Sequence, residues 1–222
     1  MAKFKVYYTI ELNEIATHIF ESNDFEVKLC SHNDEETYVK ELAAFQPDAI
    51  MCRTEPITAK MMDTCTNLKV IGYDPYMTQE KIGDLCELKE TAKEVWEQAD
   101  FVSVHLPVVP STEHSIGREQ FSWMKPTASF INCARGALIK EDELVACLQD
   151  GTLFQAGLDV FEHEPIQESS RALFDLDNVI MTPHMAATTE QSVLNCCTSV
   201  ANDIVAVCNG QEPQVKAQKP KF

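Results

Sequence analysis

Short runs of apolar and β-branched residues alternate with charged, amphipathic stretches along this whole chain. No other feature narrows its possible folds as much. Runs at 4–10, 25–30, 48–53, 68–74, 101–107, 128–134, 154–160 and 178–184 read as strands. Between them NEIATHIFES, EETYVKELAAF, TAKMMDTC, TAKEVWEQA, EDELVACLQDG and the stretch from Thr188 to Asn209 carry the helical period. Strands that are apolar throughout belong in a parallel sheet with helices on both faces. The expected class is α/β, with a doubly wound, mostly parallel sheet.

Composition excludes several partners. The formal net charge is −17, which argues against nucleic acid and anionic membranes, because both need a basic surface. No apolar run reaches the length of a membrane-spanning helix, and the N-terminal MAKFKVYYTIELNE lacks the core of a signal peptide. Nine cysteines occur without a C-x-x-C pair, and Cys196 and Cys197 are adjacent. That spacing suits neither disulfides nor a metal site, so no metal is expected and the compartment expected is the reducing cytoplasm.

The stretch NLKVIGYDPYM, residues 67–77, poses the central question. It reads as a buried strand ending in Asp74, where a dinucleotide-binding half-fold holds the adenosine ribose. Such a fold needs a glycine-rich phosphate loop roughly 20 residues upstream. No glycine precedes Gly72. Asp74 is therefore either a cofactor residue whose phosphate loop is missing or an ordinary strand-end aspartate.

In an open parallel sheet, ligands bind beyond the carboxyl ends of the strands. Four successive strand ends bring His105, Arg135, Asp159 with Glu164, and His184 to one edge. A histidine exchanges protons near neutral pH, a carboxylate beside it fixes its tautomer, and an arginine clamps a substrate carboxylate. The set suits proton transfer at a 2-hydroxy or 2-keto acid. Each residue alone also has a structural reading: His184 and His105 as hydrogen-bonded strand ends, Arg135 as a turn residue, Glu164 as a loop carboxylate and Asp159 as the cap of a turn.

The blocks INCARGALIKEDELVACLQDG, AGLDVFEHEP and NVIMTPHMAATTEQS resemble the three signature blocks of the D-isomer-specific 2-hydroxyacid dehydrogenases, the phosphoglycerate dehydrogenase-like family. ADFVSVHLPVVPSTEHSI is similar to the preceding block, and DAIMCRTEPITAKMMDTCTNLKVIG to the end of the family's substrate domain. The resemblance implies a Rossmann-like cofactor part over 71–222, and a truncated, flavodoxin-like substrate part over 1–70. It implies His184 as proton donor and acceptor, Glu164 as its partner, and Arg135 as the group that binds the substrate carboxylate and polarises the keto oxygen. Asp74 would hold the ribose of NAD. Asp159 would sit near the nicotinamide amide, and His105, Thr112, Cys133 and Ala134 would line the cofactor cleft. Arg53 would face the substrate.

The chain departs from the family pattern at its centre. Two KVIG-like strands are fused into one, and roughly a hundred residues that would carry the glycine-rich loop and central strand are absent. Without that loop, NAD binding is weakened or lost unless another segment, such as FKVYYTI, replaces it. Two expectations follow. One is an NAD-dependent dehydrogenase acting on a small 2-hydroxy or 2-keto acid, with a homodimer as the assembly to test. The other is a non-enzymatic remnant or binding module of the same family.

Overall fold

The computed structural model of the chain describes residues 4–9, 20, 22, 25–51, 58–83, 86–188 and 190–215. Two compact units emerge: Met1–Val102 with Glu119–Ala128, and Ser103–Arg118 with Ser129–Phe222.

The first unit holds a parallel sheet in the order β2 (Phe25–Leu29), β1 (Phe4–Tyr8), β3 (Ala49–Met51), with Val6 opposite Val27 on one side and Ala49 on the other. Helix α1 (Glu35–Phe45) starts where the Asp34 carboxylate accepts the Thr37 N–H at 2.9 Å, and stops at Gln46, which turns left-handed with φ 50°. Its apolar positions Tyr38, Leu42 and Phe45 recur at helical spacing and are buried. They cluster with Tyr7 of β1 and with Met61 and Cys65, at and just after α2 (Ala59–Thr64). The Tyr7 hydroxyl donates to Glu41 at 2.7 Å, and burial, then that carboxylate, pushes its pKa well above the usual range.

A two-stranded parallel ladder follows, β4 (Ile71–Gly72) on β5 (Glu87–Leu88), with α3 (Gln79–Ile82) between them. Helix α4 (Ala92–Gln98) opens with a reciprocal Thr91–Glu94 capping box and packs Trp96 edge-on to Phe121 of α5 (Arg118–Trp123), with ring centroids 6.3 Å apart.

The second unit is built on the sheet β6 (Phe101–Val104), β7 (Ser129–Asn132), β8 (Gln155–Leu158), β9 (Val179–Met181), in that order. The β7–β8 and β8–β9 pairs are parallel. Between β7 and β8 runs α6 (Glu141–Asp150), which buries Leu144, Cys147 and Leu148, and the last element is α7 (Glu190–Cys208).

Every expected strand is present, most of them shorter than the apolar run that marked them. The run 68–74 keeps only two ladder residues, because β5 alone pairs with it. Helices form at the other expected stretches, while NEIATHIFES lies almost wholly outside the described residues. The short β5, α3 and α5 had too few residues to leave a periodic signal.

Two expectations of the sheet need correction. The described strands fall into three sheets, and FKVYYTI does not join the sheet of β6 to β9 or the ladder of β4: β1 is the middle of its own sheet. Nor is the four-stranded sheet covered on both faces. Val104, Phe130, Asn132, Ala156 and Leu158 are buried on one face. On the other, Ile131 and Gly157 are half-buried, Gln155 is exposed and Ile180 is 76% exposed. Apolar strands allow a second helical layer, but at Gln155 and Ile180 that face stays exposed.

Candidate active site

Three loops at the carboxyl ends of β7, β8 and β9 build the site from side-chain bonds to their own backbones. After β7, the fully buried Asn132 accepts the Ala134 N–H at 3.0 Å and donates to the Arg135 carbonyl at 2.9 Å. This clamp shapes the turn that carries Cys133, Ala134 and Arg135. Gly136 must be glycine, since a Cβ there would lie 1.9 Å from the Phe161 carbonyl oxygen. That close approach brings the loop after β8 against the loop after β7.

After β8, Asp159 is almost wholly buried, 2% exposed. Its carboxylate accepts from the Thr182 hydroxyl at 2.5 Å and from the N–H groups of Met185 and Ala186 at 2.9 and 2.8 Å. Burial pushes this carboxyl up, but those donors and the nearby His184 outweigh it and hold its pKa below the ordinary 3.8. The sequence resemblance set Asp159 beside the cofactor amide; in the structure both its oxygens hold the turn after β9.

His184 sits in that turn with φ 51°, a left-handed conformation in which a non-glycine residue stores strain. Its Nδ1 lies 2.5 Å from Glu164 Oε2. The other Glu164 oxygen accepts the Phe161 N–H at 3.0 Å, which fixes the carboxylate within its own loop. Burial raises the Glu164 pKa, while the Phe161 bond, the His184 bond and the histidine's charge lower it further, so it lies below the ordinary 4.5. A carboxylate on Nδ1 selects the tautomer with the proton there and makes Nε2 the nitrogen that exchanges protons.

An open cleft of about 640 Å³ adjoins the turn after β7, lined by His105, Leu106, Pro107, Val108, Ala134 and Arg135. His105 Nε2 lies 2.9 Å from the Ser103 hydroxyl. The Thr112 hydroxyl donates to the Pro107 carbonyl at 2.6 Å and accepts the Val109 N–H at 2.9 Å, bracing the loop that forms the apolar wall. Desolvation, then the Asp159 charge, pushes the thiol of the exposed Cys133 up. Asp74 belongs to the first unit, exposed after β4, where its carboxylate accepts the Tyr76 N–H at 2.7 Å. Arg53 lies outside the described residues.

The second unit thus pairs His184 with Glu164 on a turn held by Asp159, and sets His105, Ala134 and Arg135 around one cleft. Sequence reading missed Asn132, Thr182 and a second pair, His114 Nε2 from the loop after β6 with Glu162 Oε1 from the loop after β8, at 2.9 Å. An asparagine two residues before Ala134 was a visible sign of a side-chain-closed turn; nothing in the sequence pointed to the other two.

Comparison with known proteins places this geometry. The family described as D-isomer specific 2-hydroxyacid dehydrogenase, NAD binding domain, matches residues 57–186. A D-3-phosphoglycerate dehydrogenase of Methanocaldococcus jannaschii is 43% identical over 145 residues, 65% of this chain and 27% of that protein. A glyoxylate/hydroxypyruvate reductase B of Klebsiella pneumoniae is 40% identical over 126 residues, 54% of this chain and 39% of that protein. The D-lactate dehydrogenase of Lactobacillus jensenii, solved with NAD+, shares the fold with TM-score 0.63 at 20% identity, covering 97% of this chain and 100% of that one. The chain spans about a quarter of the length of the first curated relatives it matches. It belongs to the D-isomer specific 2-hydroxyacid dehydrogenase family.

Proposed function

From that membership we propose that this chain is an NAD-dependent oxidoreductase that interconverts a small 2-keto acid and its D-2-hydroxy acid. The observation that carries the reading is the His184–Glu164 contact at 2.5 Å, on a turn held by Asp159. In the reductive direction, His184 gives the Nε2 proton to the substrate's keto oxygen as that oxygen gains negative charge. Glu164 holds Nδ1–H and stabilises the imidazolium form from which the proton leaves. Arg135 binds the substrate carboxylate and polarises the keto group. Asp159 acts as a positioning residue, and Arg53 faces the substrate from the N-terminal part.

The cleft suits one end of a dinucleotide: Leu106, Pro107 and Val108 offer an apolar wall, with His105 and Ala134 beside it. Thr112 and Cys133 complete that side, and Asp74 is the group for the adenosine ribose. The nicotinamide, when bound, supplies or accepts the hydride at the substrate's C2. No glycine cradle precedes Asp74 to take the pyrophosphate, so affinity is weakened. We attribute that gap to loss of an internal segment between two similar strands. It divides the chain functionally into a substrate part, 1–70, and a cofactor part, 71–222. The compartment proposed is the cytoplasm and the assembly a homodimer. Among the described residues no helix is long and apolar enough to cross a membrane.

Titration with NADH, followed by its fluorescence, tests the reading. Saturable binding below millimolar NADH, then turnover of a D-2-hydroxy acid that His184→Ala and Arg135→Ala each reduce at least about 100-fold, is the expected result; binding in the micromolar range would mean that another segment replaces the cradle. Turnover unchanged in His184→Ala would overturn the assignment of the proton donor. The absent cradle favours a second reading, a folded remnant without redox chemistry; no NADH binding up to millimolar concentration, from folded protein, would establish it.

A further inference from the structure

The loop after β6 sets a second histidine against a second carboxylate, next to the first such pair. His114 Nε2 lies 2.9 Å from Glu162 Oε1, and Glu162 stands two residues before Glu164 on the same loop. We propose that His114 and Glu162 form a positioning pair, which holds segment 161–164 so that Glu164 meets His184 at Nδ1. The inference rests on the reading of His184 as proton donor and deepens it. His114 and Glu162 act through Glu164, not on the substrate.

The segment is closed on itself and tied to its neighbours. The Phe161 N–H donates to Glu164 Oε1 at 3.0 Å, which leaves Oε2 for His184. The Glu162 N–H donates at 3.1 Å to Oε2 of Glu141, the buried first residue of α6. Gly136 brings the loop after β7 against the Phe161–Glu162 peptide, where a Cβ would lie 1.9 Å from its oxygen and 2.5 Å from its nitrogen. These contacts fix the backbone at 161 and 162. His114 adds a hold on the Glu162 side chain. Asp159, Glu162 and Glu164 follow one another in one loop of a chain of net charge −17. An imidazole N–H on Glu162 keeps that carboxylate turned toward the loop after β6, while Glu164 turns toward His184.

His114 can hold because its own backbone is anchored. Its N–H donates to the Ala137 carbonyl at 2.8 Å, and the Ile116 N–H to the Leu138 carbonyl at 3.1 Å. The Lys140 N–H returns to the Ile116 carbonyl at 2.9 Å, and Ile116, Leu138 and Ile139 are buried. His114 turns left-handed at φ 49°, as His184 does at 51°. A non-glycine residue keeps such a backbone where its surroundings over-determine it. A pair with side chains 42% and 29% exposed contributes little to folding. Its effect lies in the direction of Glu164, and so in which His184 nitrogen carries the proton.

The test labels the full chain with 15N-histidine and reads the ring nitrogens by NMR at about pH 8.5, where histidine is ordinarily neutral. The His184 ring is identified by the signals lost in His184→Asn. In the native chain its proton is expected on Nδ1. In His114→Ala and in Glu162→Ala that proton should move toward Nε2, while urea unfolding stays close to native. His114→Gln, whose amide N–H can reach Glu162, should restore the native ring pattern. A His184 ring unchanged in both alanine variants would overturn the pair and leave the proton-donor reading standing. So would a His114→Gln ring as altered as that of His114→Ala. A native His184 without a proton on Nδ1 would refute the Glu164 contact on which both readings rest. The ring signals are read without substrate, so the result does not depend on turnover.

Discussion

The rim of the four-stranded sheet and the corner after β4 carry residues assigned by one and the same resemblance, yet they are built differently. At the rim, Asn132, Asp159 and Glu164 each bond backbone groups of the loops they belong to or face, and Gly136 lets two of those loops touch. At the corner, Asp74 follows a two-residue strand, is exposed, and closes only a local turn on Tyr76. The side chains and backbone groups that hold the rim come from one stretch of the sequence, Asn132 to Ala186. A ribose site at the corner would need a glycine-rich phosphate loop upstream of Asp74, and no glycine precedes Gly72. Support that is local in sequence is built at the rim, whereas the corner rests on an exposed turn bond between Asp74 and Tyr76.

The largest expected effect that would break this contrast is at Asp159. Asp159→Ala leaves the Met185 and Ala186 N–H groups and the Thr182 hydroxyl without their acceptor, and is expected to destabilise the second unit by about 3 kcal/mol. Urea unfolding measures it; a loss as small as that of a surface substitution would mean that the rim is no better supported than the corner.

Gly136→Ala comes next, at about 2 kcal/mol, because the new methyl must displace the Phe161–Glu162 backbone. It should also alter the His184 ring signals in NMR spectra, since Glu164 lies on the displaced loop. Unchanged ring signals would show that the two loops are not coupled.

Acid sharpens the comparison further. Asp159 and Glu164 are held below their ordinary values of 3.8 and 4.5, so the unfolded chain takes up their protons first as pH falls. Their stabilisation is fully present above those values and is lost progressively below about pH 4.5. Melting temperatures between pH 7 and pH 3 should fall less steeply in Asp159→Asn than in the native chain. Parallel curves would refute the assignment.

The smallest effect belongs to the corner. Asp74→Ala removes one exposed turn bond and should change stability by no more than about 0.5 kcal/mol, while weakening any NADH binding. A large loss of stability would show that Asp74 is structural and would remove the reason to read it as a ribose ligand.

Much of this was legible in residue order. The strand ends of β6 to β9 are neighbours as expected, so His105, Arg135, Asp159 and His184 follow from apolar runs that end in polar residues. Glu164 was legible only as a carboxylate five residues past Asp159; its pairing with His184 came from the resemblance. Thr182 and the His114–Glu162 pair were not legible, since each bonds a partner more than 20 positions away.

By itself the amino-acid sequence determined the α/β class, the element order, the missing glycine loop and the family, because period, turn residues and signature blocks are local properties. Tertiary structure alone decided that Asp159 holds a turn, that the described strands divide into three sheets, and that Ile180 and the apolar positions of α7 are exposed. Whether an apolar run is covered depends on which other segments exist to cover it, and no local pattern records that.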